Sequence, residues 1–161
     1  MLTTFALLAS IAQTAPLSRA LVGTWTGTLE YRDYHSDRRV TLPTRLVITA
    51  AASGSLKYAY VYDDGPGKVV TSSERVTIDA AAATYRVQND EGYDATFAMV
   101  GAGQVGTQSN TVVLTGRGRE NDAVVDLRIT ITVTAAELVL LRESRRAGED
   151  WLFRNRYALK R

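Results

Sequence analysis

The most regular pattern in the chain is Val125-Asp126-Leu127-Arg128-Ile129-Thr130-Ile131-Thr132-Val133. Apolar and polar residues alternate through it. Successive side chains of a β-strand point to opposite faces of a sheet, so the pattern predicts a strand that buries one face and exposes the other to water.

The same alternation extends in both directions from this stretch. Further periodic segments cover residues 21–32, 40–49, 56–62, 69–79, 84–88, 93–99, 112–119, 137–145 and 151–159. About ten strands separated by turns every 8–12 residues are typical of an all-β sandwich or barrel. Short connections favour antiparallel hairpins, and closure would remove exposed strand edges. We therefore predict an all-β fold, a single antiparallel and mostly up-and-down β-barrel of about 8–10 strands, with a β-sandwich as the alternative.

Composition narrows the classes of function. The 19 basic and 17 acidic residues leave a net charge of only +2, which is too even for an electrostatic nucleic-acid binder. The chain has no cysteine, so thiolate catalysis, zinc–thiolate sites and disulfides are absent, and its one histidine is His35. We expect no cofactor, no nucleic-acid partner and no transmembrane helix, and an enzyme is the least favoured class.

The N-terminus resembles an export signal. The apolar run Phe5–Ala12 has the size of a signal-peptide core and is far shorter than the ~20 residues that span a bilayer. Small residues would allow cleavage after Ala12 or after Ala20. We therefore expect a signal peptide within residues 1–20, a barrel domain at 21–161 and a periplasmic or secreted protein. A short amphipathic helix packed on the domain is the alternative. The use of Arg rather than Lys suggests a bacterial genome rich in GC.

The domain opens with Leu21-Val22-Gly23-Thr24-Trp25-Thr26-Gly27. This resembles the Gly-x-Trp motif on the first strand of calycins, the group of lipocalins and fatty-acid-binding proteins. The resemblance implies that Trp25 packs across the closed end of a barrel, beneath a basic side chain of the last strand. Arg154 or Arg156 would then lie over its ring as the cation. The alternative for Trp25 is an ordinary core residue between two glycines.

Three tyrosines are candidates for a binding site. Tyr58, Tyr60 and Tyr62 are spaced by two, so their rings share one face of a strand. Leu56 shares that face and Lys57 the other, which favours an inward direction. Inside a barrel the tyrosines would line a cavity with hydroxyls that orient a ligand, whereas outside they would form an exposed aromatic ladder.

Several charged clusters allow weaker hypotheses. Asp33, His35 and Asp37 recur at every second residue and contain ligand types that suit a divalent metal, but the stretch 32–39 reads better as the tip of the first hairpin. Calcium at the segment 63–67 is a weak alternative to an ordinary turn.

A basic cluster lies near the C-terminal end of the chain. Arg142, Arg145 and Arg146 would either face anionic envelope components or form a solvated hairpin tip, and we favour the solvated tip.

Three functions remain open. The first is an exported, calycin-like protein that binds a small apolar or amphipathic ligand in its barrel. The candidate binding residues are Tyr58, Tyr60, Tyr62, Trp25, Arg154 and Arg156. The second is an envelope structural or interaction protein whose barrel is filled by side chains. The third is an enzyme on a barrel scaffold. The sequence leaves the identity of a ligand and the oligomeric state open.

Overall fold

The structure is a computed structural model that describes residues 17–33, 36–100 and 110–161. Within these ranges the chain forms one short α-helix, one 3₁₀ turn and ten β-strands. The elements are α1 (Leu17–Leu21), β1 (Gly23–Arg32), β2 (Arg39–Ala50), the 3₁₀ turn (Ala52–Gly54), β3 (Leu56–Asp63), β4 (Val69–Asp79), β5 (Thr84–Asn89), β6 (Asp94–Val100), β7 (Asn110–Glu120), β8 (Ala123–Val133), β9 (Glu137–Arg145) and β10 (Leu152–Lys160).

The strands form a single closed antiparallel barrel. Each strand pairs with its neighbours in sequence, and β1 pairs with β10, for example through Leu29 and Tyr157, to close the sheet. The predicted up-and-down barrel is confirmed. The sandwich alternative is wrong because the pairing of β1 with β10 leaves one continuous sheet instead of two.

Strand β8 shows how the alternation builds the core. Val125, Leu127, Ile131 and Val133 are buried in the barrel, and the partly buried Ile129 shares their inward face. The residues that alternate with these five lie on the outer face. Antiparallel pairing places directly opposed residues on the same face, so the register carries this inward face around all ten strands.

Trp25 and α1 close one end of the barrel. The Trp25 side chain is fully buried, and its Nε1 donates a hydrogen bond to the Leu21 carbonyl at 2.9 Å. Leu17 and Leu21 of α1 are buried beside it. The Arg161 guanidinium lies over the Trp25 ring, 4.4 Å from the ring centroid, and also donates to the carbonyls of Ala20 and Val22.

The cation over Trp25 is therefore Arg161, and the expectation of Arg154 or Arg156 is wrong. The register pairs Thr26 with Lys160, which places Trp25 beside residue 161. Arg154 lies seven residues earlier on β10, roughly 23 Å away along the strand.

The predicted leader falls mainly outside the described residues, and so does the site after Ala12. The other predicted cleavage site follows Ala20, which lies within α1. None of the helices in the described part of the chain has the length and apolar composition needed to cross a membrane.

Candidate functional site

The interior above the Trp25 end is lined by tyrosines. Tyr58 and Tyr60 are 1% and 5% exposed, and Tyr62 is half-buried above them. Their face of β3 points into the barrel because it continues the inward face of β2, where Ile48 and Leu46 lie opposite Tyr58 and Tyr60.

Hydrogen bonds and ring contacts hold these tyrosines in place. The hydroxyls of Tyr58 and Tyr85 share a hydrogen bond at 3.1 Å, and those of Tyr62 and Tyr157 share one at 2.9 Å. The Tyr60 ring stacks on Tyr62 with centroids 5.8 Å apart and lies 5.3 Å from Tyr157. Burial raises the pKa of all five hydroxyls, so these groups remain neutral at physiological pH.

A cavity of about 130 Å³ lies among these rings. Its walls combine aromatic and aliphatic side chains with three polar ones. The lining residues are Tyr58, Tyr60, Glu74, Tyr85, Val87, Tyr93, Phe97, Leu114, Ile129, Ile131, Leu140, Arg142, Asn155 and Tyr157. The cavity is partly open to solvent. A concave site that combines apolar and aromatic walls with a few polar groups is the usual form of a small-molecule site.

Glu74 supplies an acidic group to the cavity wall. It lies on β4 directly opposite Tyr58, and its carboxylate accepts a hydrogen bond from the Tyr60 hydroxyl at 3.4 Å. Burial raises the pKa of the Glu74 carboxyl above its usual range, although the Tyr60 hydrogen bond and the positive charge of Arg142 both act to lower it.

Arg142 supplies the basic group. It lies on β9 opposite Asn155, and its Nε is buried and has no hydrogen-bond partner among the described residues. Within the described ranges Arg142 forms no ion pair, so its charge is not neutralised by a contacting carboxylate. A buried guanidinium nitrogen is costly to the fold unless a water, an ion or a ligand supplies the acceptor.

The barrel wall is incomplete above the hairpin formed by β5 and β6. The pairing of β4 with β5 stops at Glu74 and Asn89, and β6 pairs with β7 only at Val113–Thr115. The upper parts of β4 and β7 are therefore not joined to each other by this short hairpin. Tyr60 and Glu74 line both the cavity and an open groove of about 480 Å³ beside this gap, so the groove adjoins the cavity at these two residues.

The structure brings only some of the predicted site residues together. Tyr58 and Tyr60 line the cavity, and Tyr62 holds Tyr157, whereas Trp25 lies at the closed end. Arg156 is exposed. Whether any of these residues contacts a ligand stays a prediction.

Arg154 belongs to a separate polar cluster. Its guanidinium forms an ion pair with Glu120 and donates to the Ser144 hydroxyl. The Arg154 and Glu120 side chains are only 14% and 19% exposed, so this buried pair is part of the packing of the barrel.

Sequence reasoning missed Glu74 and misplaced Arg142. The expectation of a solvated tip containing Arg142 is wrong, because Leu138, Leu140 and Arg142 share the inward face of β9. Arg145 lies on the outer face and contacts Asp126 and Trp151. The signal was present in the alternation: Glu74 likewise precedes the inward-facing Val76 by two residues.

The other charged clusters have local partners. β1 ends at Arg32 and β2 begins at Arg39, so the stretch between them is the hairpin connection that the sequence predicted. Asp37 pairs with Arg32, and Asp33 accepts a hydrogen bond from Ser36. His35 lies outside the described residues, so the metal hypothesis stays untested.

The segment 63–67 is a turn between β3 and β4. Asp63 accepts a hydrogen bond from the Gly65 amide, and Asp64 pairs with Lys68.

Comparison with known proteins does not assign this chain to a family. No protein-family model and no curated protein sequence matches this chain.

Proposed function

We propose that this protein binds a small amphipathic carboxylate, about the size of one aromatic ring, in the tyrosine-lined cavity. The observation that carries the proposal is the buried Nε of Arg142, a residue of the cavity wall, which has no hydrogen-bond partner in the part of the chain that the structure describes. A carboxylate would accept a hydrogen bond from Nε and neutralise the guanidinium. Charge-assisted hydrogen bonds of this kind are stronger than hydrogen bonds between neutral groups.

The cavity volume sets the size of the ligand. A buried cavity of about 150 Å³ holds benzene, whereas drug-sized ligands occupy roughly 300–1,000 Å³. The 130 Å³ available here suits one ring with a small polar group, and a long acyl chain is too large. Phe97, Leu114 and Ile131 provide the apolar wall for the ring.

The sequence resemblance supports the architecture of this proposal. We propose that the barrel is calycin-like, because the Gly-x-Trp segment lies at the closed end with a cation over Trp25, as the resemblance implies. The cation comes from Arg161 instead of the residues expected from the sequence.

We also propose that the protein is exported, and this rests on the leader pattern alone. Of the two predicted cleavage sites, the one after Ala12 would retain α1, whose Leu17 and Leu21 are part of the core. Cell fractionation and N-terminal sequencing of the mature protein test this. A protein that keeps its first residues and stays in the cytoplasm would contradict it.

Calorimetric titration with benzoate tests the binding function. Arg142→Met removes the charge and keeps most of the volume, and we expect it to weaken benzoate binding roughly tenfold to hundredfold, the value of about 1.5–3 kcal/mol for a hydrogen bond to a charged group. Arg145→Met, on the outer face of the same strand, is the matched control and should bind as the unmodified protein does.

Urea denaturation separates binding from folding in this experiment. Arg142→Met should unfold at an equal or higher urea concentration than the unmodified protein, because the substitution removes a buried nitrogen without a partner. Failure of benzoate to bind, or equal binding by the Arg142 and Arg145 variants, would exclude the proposed site.

The second candidate is a structural barrel that holds no ligand. It is favoured by the packing of the lower interior, where Trp25, Ile48, Val76 and Leu138 are at most 1% exposed. The cavity volume of about 130 Å³ also corresponds to only about four liquid water molecules. A native mass spectrum of the protein purified gently from cells distinguishes the two: a reproducible excess mass supports a carrier, and a bare chain supports the structural barrel.

A further inference from the structure

Among the described residues, Glu74 is the only carboxylate that lines the cavity. It accepts a hydrogen bond from the Tyr60 hydroxyl at 3.4 Å. In the described part of the chain no basic group lies within ion-pair distance of it. Arg142 interacts with it electrostatically across the cavity without a direct contact. The wall thus carries an acid and a base that face the same empty volume.

The groups that interact electrostatically with Glu74 keep their protonation state near neutral pH. They are Tyr58, Tyr60 and Tyr62 from β3, Tyr85 from β5, Tyr93 from the connection between β5 and β6, Arg142 from β9 and Tyr157 from β10. Lys57, Asp90 and Glu91 lie with Glu74 along the open outer groove. Burial raises the pKa of each tyrosine, so all of them remain neutral, and an arginine remains charged. Among these groups only the carboxyl of Glu74 can change its protonation between about pH 5 and 9.

We propose that an anionic ligand enters the cavity together with a proton, and that Glu74 takes up this proton. The proposal rests on the proposed function, since it requires an anion to bind beside Arg142. The ligand and the proton would then enter and leave the cavity together. Since a carboxylate and a proton carry no net charge between them, the net charge of the cavity would not change on binding.

The coupling follows from the two charges that Arg142 would face. In the free protein the positive charge of the guanidinium favours the ionised form of Glu74. A bound carboxylate neutralises the guanidinium and adds a negative charge within the same 130 Å³ cavity. Two carboxylates that share one small site disfavour joint ionisation, so the second one binds a proton. The protonated Glu74 can in turn donate a hydrogen bond, either to the ligand or within the wall.

The sign of the pH dependence is fixed by linkage. The complex binds more protons than the free protein between the two pKa values of Glu74, that of the free protein and the higher one of the complex. Binding therefore weakens as pH rises through this interval, by up to about tenfold in Kd per pH unit for one proton. At a pH below the pKa of Glu74 in the free protein, the affinity should no longer change with pH.

The experiment is a benzoate titration by calorimetry from about pH 5.5 to 8.5, a range in which benzoate itself stays ionised. We expect Kd for the unmodified protein to rise by at least about tenfold over this range. Glu74→Gln keeps the shape and the hydrogen-bond acceptor but cannot titrate, so its Kd should be nearly independent of pH. Benzamide, the neutral analogue of benzoate, leaves Arg142 charged and should bind with little pH dependence.

A second measurement needs no variant. Titrations of the unmodified protein in buffers with different ionisation enthalpies give the number of protons taken up with each benzoate, and we expect a value approaching one in the middle of the range. Zero uptake, or a Glu74→Gln protein with the same pH slope as the unmodified chain, would refute the proposal while leaving benzoate binding intact. No benzoate binding at any pH would instead refute the proposed function on which it depends.

Discussion

Gly27 has the closest backbone contact of the glycines in the described chain. A Cβ at this position would lie 2.1 Å from the Ala158 carbonyl oxygen, across the β1–β10 pairing that closes the barrel. At Gly116 a Cβ would lie 2.8 Å from Cδ1 of Phe97, which belongs to a side chain. The two glycines are therefore required for different reasons, close backbone approach in one case and ring packing in the other.

This difference predicts unequal costs for the same substitution. Gly27→Ala must move a backbone carbonyl within the closing pair of strands, so we expect a loss of more than about 3 kcal/mol in the free energy of unfolding. Gly116→Ala can be accommodated by a turn of the Phe97 ring and should cost about 1–2 kcal/mol. Urea denaturation of the two variants measures both values. Equal losses would show that the backbone at Gly27 is free to shift.

The sequence predicted that the three tyrosines of β3 share one face of the strand. It did not predict that Glu74 and Arg142 line the same interior. Three tyrosines at a spacing of two are visible as a face, and the neighbouring Leu56 indicated its direction. Glu74 and Arg142 obey the same spacing, yet a charge on an inward face contradicts the expectation that charged residues are solvated. Such local conflicts concentrate at functional sites, where stability is sacrificed. For this reason the alternation alone could not assign them to the interior.

At the level of elements, Trp25 has α1 as a partner in addition to Arg161, which directly follows β10. The helix has five residues, too few to be stable alone, and it depends on the burial of Leu17 and Leu21. The sequence pattern predicted that this segment belongs to a leader, because its small residues also suit a cleavage site. Only the packing of Leu17 against the barrel distinguishes a core element from a segment that is removed.

Truncation tests the role of α1. A chain beginning at Gln13 retains the helix, whereas one beginning at Leu21 loses Leu17 and the turn that presents the Leu21 carbonyl to Trp25. We expect the shorter chain to be less stable by about 2–4 kcal/mol, the range of a buried leucine removed from a core. Leu17→Ala in the longer chain isolates the side-chain contribution. Equal urea midpoints for the two truncations would show that α1 is dispensable to the domain.

The gap in the barrel wall results from unequal lengths of neighbouring strands. β5 and β6 have six and seven residues, while β4 and β7 have eleven each. The sequence indicated a short strand at residues 84–88, but hairpin lengths do not reveal how far each neighbour extends past them. The gap beside Tyr60 and Glu74 is therefore a property of strand register, which becomes visible only in the closed sheet.

On the scale of the whole molecule, the closed sheet concentrates tyrosine hydroxyls in the interior. Tyr58, Tyr60, Tyr62, Tyr85 and Tyr157 come from three strands, and burial raises the pKa of each of them. In the unfolded chain the same groups ionise near pH 10. Above that pH the folded state binds more protons than the unfolded state, so stability must fall as pH rises. Below it these hydroxyls add no pH dependence.

The barrel should therefore unfold steeply in alkali. Each deeply buried hydroxyl contributes up to about 1.4 kcal/mol per pH unit above 10, so Tyr58, Tyr60, Tyr85 and Tyr157 together contribute up to about 6 kcal/mol per unit. Tyr62 is more exposed and contributes less. A domain with a free energy of unfolding of about 5–15 kcal/mol then unfolds within about one to three pH units. Tyrosinate absorbance and far-ultraviolet circular dichroism should change together. The double variant Tyr58→Phe, Tyr85→Phe removes a bonded pair and should unfold at higher pH with a shallower slope. Tyrosinate absorbance that rises well before the strand signal is lost would mean that solvent reaches the interior hydroxyls in the folded barrel.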